Sequence, residues 1–127
     1  MAELDNNQLR RKLKDKMGLA PERHIFLCTG SNCDPDVAAK TWRQLGKCLK
    51  QAEKDGRCFH RTEVKCLKLC RSGPIALVYP EGTYYRNVTP DVAEQICEQH
   101  LRDGVPVQGF VFADVPLKPK DGEEPTD

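Results

Sequence analysis

Two cysteine pairs are the most reactive feature of the chain. Cys28 and Cys33 close the segment CTGSNC with four residues between them, and Cys66 and Cys70 close CLKLC with three. Deprotonated thiols at such spacings are metal ligands. A tetrahedral zinc tolerates pairs two to four residues apart, and a four-cysteine [2Fe–2S] cluster is equally compatible. Spacing alone leaves these two metals open, with a set of unliganded reduced thiols as the plainer alternative. A redox dithiol wants two intervening residues. The plant-type cluster spacing fails as well, because Asp36 stands where its third cysteine belongs.

The charge near the second pair favours thiolates. Lys65, Lys68 and Arg71 crowd CLKLC, and cations at that range lower thiol pKa values and offset an anionic centre. Across all 127 residues the charge is nearly balanced, 20 basic against 19 acidic for a net of +1. A nucleic-acid binder would show a clear basic excess, so no nucleic-acid partner is expected. No apolar run approaches a membrane span, and the polar start MAELDNNQLRRKLKDKMG is unlike a signal peptide. A cytoplasmic location is therefore expected, without membrane attachment. Seven cysteines cannot all pair with one another, and in a reducing compartment clustered thiols more often hold metal than form structural disulfides.

The surrounding elements would bring the four thiols together. Leu9, Leu13 and Met17 predict a short amphipathic helix over 6–17, too short to stand alone. HIFLC, 24–28, predicts a strand. Asp34 and Pro35 read as an N-cap and first helical residue of a helix running to about Lys54. That helix has Val37, Thr41, Leu45, Cys48, Leu49 and Ala52 on one face. RCFHRTEV, 57–64, predicts a second strand and IALVY, 75–79, a buried third. Pro80-Glu81-Gly82 turns the chain into TYYRN as a hairpin. Thr89 and Pro90 open a last helix over 90–102, with Val92, Ala93, Ile96, Cys97 and Leu101 inward. VPVQGFVFADV, 105–115, is apolar enough to pack somewhere. The fold class is α/β, a mixed sheet covered by two helices. If the first two strands are parallel neighbours joined by the long helix, both cysteine pairs begin at one end of the sheet, where open α/β folds place ligands.

CTGSNC, a gap of 32 residues, then CLKLC followed by RSGPIALVYPEGTYYRNVTPDVAEQICEQHL resembles the thioredoxin-like [2Fe–2S] ferredoxin family, over residues 23–112. That family includes free-standing ferredoxins and the small iron–sulfur subunit of respiratory complex I and related hydrogenases. The resemblance implies a thioredoxin-like fold with a four-stranded mixed sheet, two main helices and the short N-terminal helix. It also implies one [2Fe–2S] cluster per chain, ligated by Cys28, Cys33, Cys66 and Cys70. The domain plan is an extension over 1–20, a ferredoxin domain over 21–115 and a flexible acidic tail over 116–127. Only some 20 residues precede the first strand, where the complex I subunit carries a substantial helical domain, so a free-standing carrier is expected. The short first loop is closer to the subunit branch.

Residues outside the ligand set have plainer readings. Cys48 and Cys97 fall on inward helix faces and are expected in the core, while Cys58 is either an exposed thiol or an ordinary strand residue. Trp42 is expected to pack. His24, His60 and His100 lack ligand spacing and are expected to be structural or surface groups. Tyr84 and Tyr85 alternate across a strand, so one faces outward, either as plain surface or as part of a homodimer interface. Pro74 stands where the thioredoxin fold keeps a cis-proline, and either isomer is open.

A four-thiolate cluster has no open coordination position for a substrate. The function implied is therefore one-electron carriage between redox partner proteins, a reductase or an oxidoreductase, rather than enzymatic turnover. The alternatives are a structural zinc adaptor and a cluster-based redox or iron sensor. Lys65, Lys68 and Arg71 would steer an acidic partner to the cluster edge, or are simply solvated loop charges. Steering mainly sets the on-rate and is screened by salt. Neutralising Lys68 and Arg71 together is then expected to slow electron transfer at low ionic strength and to matter little at high ionic strength. An unchanged rate at low salt in stopped-flow traces contradicts the steering role.

Overall fold

The computed structural model describes residues 3–17, 21–30, 34–65 and 73–116. The elements run α1 (Asn6–Met17), β1 (Arg23–Cys28), α2 (Pro35–Lys54), β2 (Phe59–Val64), β3 (Ala76–Tyr79), β4 (Thr83–Tyr85), α3 (Pro90–Gln95), a π-helical segment (Ile96–Leu101), a 3-10 turn (Gln108–Phe110) and β5 (Val111–Asp114). The sheet order is β2-β1-β3-β4-β5, with β1 and β2 parallel and every other pair antiparallel. The expected α/β architecture and parallel first pair are present. The sheet has five strands instead of four, because the apolar segment after the last helix adds Val111–Asp114 beside β4 across an irregularity at Tyr84 and Tyr85.

Alternation along the strands sets which face is covered. Ile25 and Leu27 are fully buried and face the helices. They meet Leu45 and Ala52 of α2 and Val92, Ala93, Ile96 and Leu101 of the C-terminal helical region in one core. The alternate residues His24 and Phe26 lie on the opposite face, where their rings stack 4.3 Å apart and Tyr79 meets Phe26 edge-on. Thr41 anchors α2 by donating its hydroxyl proton to the Val88 carbonyl at 2.7 Å. Trp42 packs as expected: the Arg61 guanidinium lies 3.8 Å from the centre of its ring and donates to its carbonyl, tying α2 to β2. Such a contact is worth about 0.5–2 kcal/mol. On α1, Leu9 and Leu13 are 51% and 61% exposed, so the apolar stripe of this helix is left largely uncovered.

Two local details differ from the sequence reading, and a third, the Pro74 isomer, is one it leaves open. Asp34 does precede α2, but in a left-handed conformation with no capping hydrogen bond from its side chain. Pro35 supplies the helical first residue by its fixed φ. The last helix is α-helical only to Gln95 and then widens into the π-helical segment. The Gly73–Pro74 bond is cis, and so is Tyr79–Pro80. The hairpin turn is as expected: Gly82 has φ 71°, and a Cβ there would stand 2.1 Å from the Val115 carbonyl oxygen. Only glycine allows Val115 to bond back to Gly82 at 2.7 Å and so hold the end of β5.

A buried polar chain fastens the C-terminal region to the sheet. The Val107 amide donates to the Tyr85 hydroxyl at 3.1 Å, and that hydroxyl lies 2.7 Å from His100 Nδ1. His100 Nε2 in turn lies 2.7 Å from Glu81 Oε1, which also receives the Arg23 Nε proton at 2.9 Å. Donor bookkeeping gives one consistent assignment. The tyrosine accepts from the amide and donates to Nδ1, so His100 is neutral and donates its Nε2 proton to the carboxylate. His100 is 0% exposed. Burial holds its pKa below the ordinary value, outweighing the Glu81 carboxylate, while the charge of Arg23 adds to the depression and Asp114 opposes it. Burial also pushes Tyr85 up to about 12. For Glu81 burial alone would raise the carboxyl, but the bonds from Arg23 and His100 win and hold it below its usual range.

A depressed histidine makes the unfolded chain the better proton binder, so its contribution is complete above an unfolded pKa of about 6.5 and fades as pH falls below it. Glu81 has the same sign lower down, its contribution fading as pH falls through its depressed folded pKa. His100→Gln is expected to cost about 1–3 kcal/mol at pH 7. The gap between wild-type and variant melting midpoints should shrink between pH 7 and pH 5. A gap that stays constant with pH would show that His100 does not titrate between the two states.

Candidate metal centre

The ladder between β1 and β2 runs to the last residue of each strand. Its register sets Cys28 opposite Val64, two residues before Cys66 in the chain. The pairing then continues beyond the strands: the Thr29 amide donates to the Val64 carbonyl at 2.9 Å, and the Thr29 hydroxyl reaches Glu63 Oε2 at 3.2 Å. Gly30 passes so close to the next residue of the other chain segment that a Cβ would lie 1.8 Å from the Lys65 carbonyl oxygen. Gly30 is therefore needed for close backbone approach. The loop after Cys28 and the segment leading to Cys66 are in backbone contact.

Cys28 is held from both sides. Its amide donates to the Ile75 carbonyl at 2.9 Å, next to the buried cis-proline Pro74, and its Sγ lies 3.6 Å from the Lys65 carbonyl oxygen. The thiol is 0% exposed and packs with Ile75, Val64 and Tyr84 in a small cluster apart from the main core. A sulfur fixed at the shared C-terminal end of two parallel strands, beside a loop that tolerates no added Cβ, fits a cluster ligand. Cys33, Cys66 and Cys70, with Lys68 and Arg71, lie outside the described residues; Lys65 is exposed.

The remaining cysteines and histidines stand away from this end. Cys97 is 5% exposed and belongs to the core, as expected. Cys48 is only half-buried and lines an open cavity together with Cys97. Cys58 is half-buried, with Sγ 3.8 Å from His60 Nε2, and burial pushes its thiol up. His24 lies 2.7 Å from the Thr62 hydroxyl. Tyr85 is the inward tyrosine, and Tyr84 faces out against Phe112 with ring centres 5.8 Å apart.

The polar chain around His100 is what sequence reasoning undervalued. Its signal was present: His100 follows Val92 and Ile96 at spacings of four, on the inward stripe. Nothing local to it pointed to Glu81 or Arg23.

No protein-family model matches the chain. It is 33% identical over 98 residues to a 2Fe-2S ferredoxin of Clostridium pasteurianum, covering 66% of this chain and 89% of that one. It is 27% identical over 103 residues to a 2Fe-2S ferredoxin of Aquifex aeolicus, covering 75% and 93%. The solved structure of a thioredoxin-like [2Fe-2S] ferredoxin from Aquifex aeolicus matches the fold with a TM-score of 0.67 at 24% identity, over 75% of this chain and 94% of that one. The paired cysteine loops, the five-stranded mixed sheet and these relatives lead to one conclusion: the chain belongs to the thioredoxin-like [2Fe–2S] ferredoxin family.

Proposed function

We propose that the chain is an electron-transfer protein, not an enzyme, that holds one [2Fe–2S] cluster on Cys28, Cys33, Cys66 and Cys70 and passes single electrons between redox partner proteins. The observation that supports the reading is the β1–β2 register, which sets Cys28 level with Val64, two residues before Cys66 in the chain, and brings Gly30 against Lys65. When bound, the cluster takes up and gives back one electron. The residues do the rest. The Cys28 amide donates to the Ile75 carbonyl, which fixes the backbone that carries the sulfur, and the thiol proton it gives to the Lys65 carbonyl is the one lost when the sulfur becomes a thiolate ligand. α2 begins two residues after Cys33 in the chain, and the positive end of a helix favours a neighbouring thiolate. Lys65, Lys68 and Arg71 offset the negative charge of four thiolates and form the docking edge for an acidic partner.

In this reading residues 21–115 form the ferredoxin domain and 1–20 an extension; the acidic tail expected over 116–127 lies, from residue 117 on, outside the described residues. The odd set of seven cysteines supports residence in the reducing cytoplasm. Among the described residues no helix is long and apolar enough to cross a membrane.

Reduction by dithionite is expected to give an EPR signal of a single half-spin centre, with a midpoint on the order of a few hundred millivolts below zero. Changing Cys28, Cys33, Cys66 or Cys70 to serine should shift or abolish the signal. A ligand set in which any of these four is dispensable without spectral change contradicts the assignment. Gly30→Ala forces the Lys65 carbonyl aside. Overpacking against backbone costs about 1–3 kcal/mol, so this variant is expected to lose stability and to retain less cluster. Wild-type stability and cluster content in Gly30→Ala would show that the close approach is dispensable.

A further inference from the structure

Two cysteines outside the expected ligand set share a cavity where α2 packs on the C-terminal helical segment. Cys48 projects from the apolar face of α2, and Cys97 from the π-helical segment packed against it. Both line a cavity of about 270 Å³ that opens to solvent, with Gln44 and Phe59 among its walls. Lining the same cavity, on helices packed against each other, the two thiols are close enough to influence one another. Gln44, one turn before Cys48, donates its amide proton to the Cys48 sulfur at 3.8 Å. Both cysteines are reduced.

The helix rise puts Cys48 about 20 Å along α2 from its Pro35 end, so neither thiol competes for the cluster. An amide donor on the Cys48 sulfur, with a second thiol beside it, favours a thiolate there and is not needed by a plain core thiol. The neighbouring Cys97 thiol, helped by Gln44, brings the Cys48 thiol down to about 7, against burial and the charges of Glu94 and Glu98. The same pairing, together with burial, pushes Cys97 up. Of the two, Cys48 is the more readily ionised and Cys97 holds its proton more tightly. This is the division of labour between an attacking and a resolving cysteine. The wide π-helical segment that carries Cys97 belongs to a class of helix irregularity often found at functional sites.

We infer that Cys48 and Cys97 form a peroxide-responsive dithiol that closes to an intramolecular disulfide. The oxidant is a small hydroperoxide, which the open cavity admits. The Cys48 thiolate attacks one peroxide oxygen and the O–O bond breaks. The departing oxygen takes up a proton and leaves as water or an alcohol, and Cys48 becomes a sulfenic acid. Cys97 sulfur then attacks Cys48 sulfur, the S–O bond breaks and water leaves, carrying the Cys97 proton. Two thiols lose two electrons in all, and the peroxide gains them. The disulfide ties α2 to the C-terminal helical segment and is reopened by a dithiol reductant. The inference rests on these helices alone and is independent of the cluster assignment.

The test is peptide mapping of the cluster-loaded full chain after one equivalent of hydrogen peroxide, with alkylation in denaturant and digestion without reduction. The visible spectrum is recorded in parallel, so that damage to the cluster is scored separately. A peptide pair linking Cys48 to Cys97, lighter by two hydrogens and released by dithiothreitol, is expected in most chains. Cys48→Ser should lose the link. Cys97→Ser should instead leave a Cys48 sulfenic acid that dimedone traps, and Cys58→Ser should keep the link in full. Recovery of Cys48 and Cys97 both alkylated overturns the proposal, as does a Cys48 sulfinic acid beside an alkylated Cys97, or a link from Cys48 to Cys58.

Discussion

The hydrogen-bonded ladder between β1 and β2 is the constraint on which the rest of the molecule depends. Two parallel strands cannot be joined by a turn, so the chain must travel back along the sheet between them, and α2 makes that journey. The helix needs an apolar face to stay on the sheet, and Ala38, Leu45 and Ala52 provide it. The same parallel arrangement brings the ends of both strands to one edge, with Cys28 level with Val64. Past that edge the backbones stay in contact only because Gly30 has no side chain to strike Lys65. The closeness of Cys28 and Gly30 to Lys65, one residue before Cys66 in the chain, is thus a consequence of strand direction.

A second constraint works at the opposite side of the core. The last part of the chain leaves α3 through a π-helical segment and returns as β5. Apolar burial gives this region little direction of its own, since burial is non-directional. The polar chain from Val107 through Tyr85 and His100 to Glu81 and Arg23 supplies it. Tyr85 and His100 each accept a proton on one side and donate one on the other, and among the described residues no buried side-chain polar atom is left without a partner. Such a network is costly when broken and selective when intact.

Much of this was legible in the residues. The apolar run in HIFLC, the alternation in RCFHRTEV, the long stripe from Val37 to Ala52 and the Pro-Glu-Gly turn each carry a local signal, and each element formed close to its expected limits. The cysteine spacing and the segment after CLKLC were enough for the family. Features that depend on distant partners were not legible. β5 was missed because Gln108 and Gly109 interrupt the apolar pattern, and the strand exists only where β4 offers it an edge. The π-helical widening leaves the inward residues on the same side, so helical periodicity does not reveal it. Cys48 and Cys97 both read as core residues, 49 positions apart in number, and only the packing of α2 against the C-terminal segment discloses that they line the same cavity. Asp34 read as a cap by residue type, whereas its left-handed backbone turns the side chain away from that role.

The central claim is that the parallel strand ends assemble a four-thiolate iron–sulfur site. Iron, acid-labile sulfide and zinc counted per chain in anaerobically purified protein, beside its visible spectrum, test it most directly. The account predicts a red-brown protein with two irons and two sulfides per chain and negligible zinc. A colourless protein carrying one zinc per chain would contradict it.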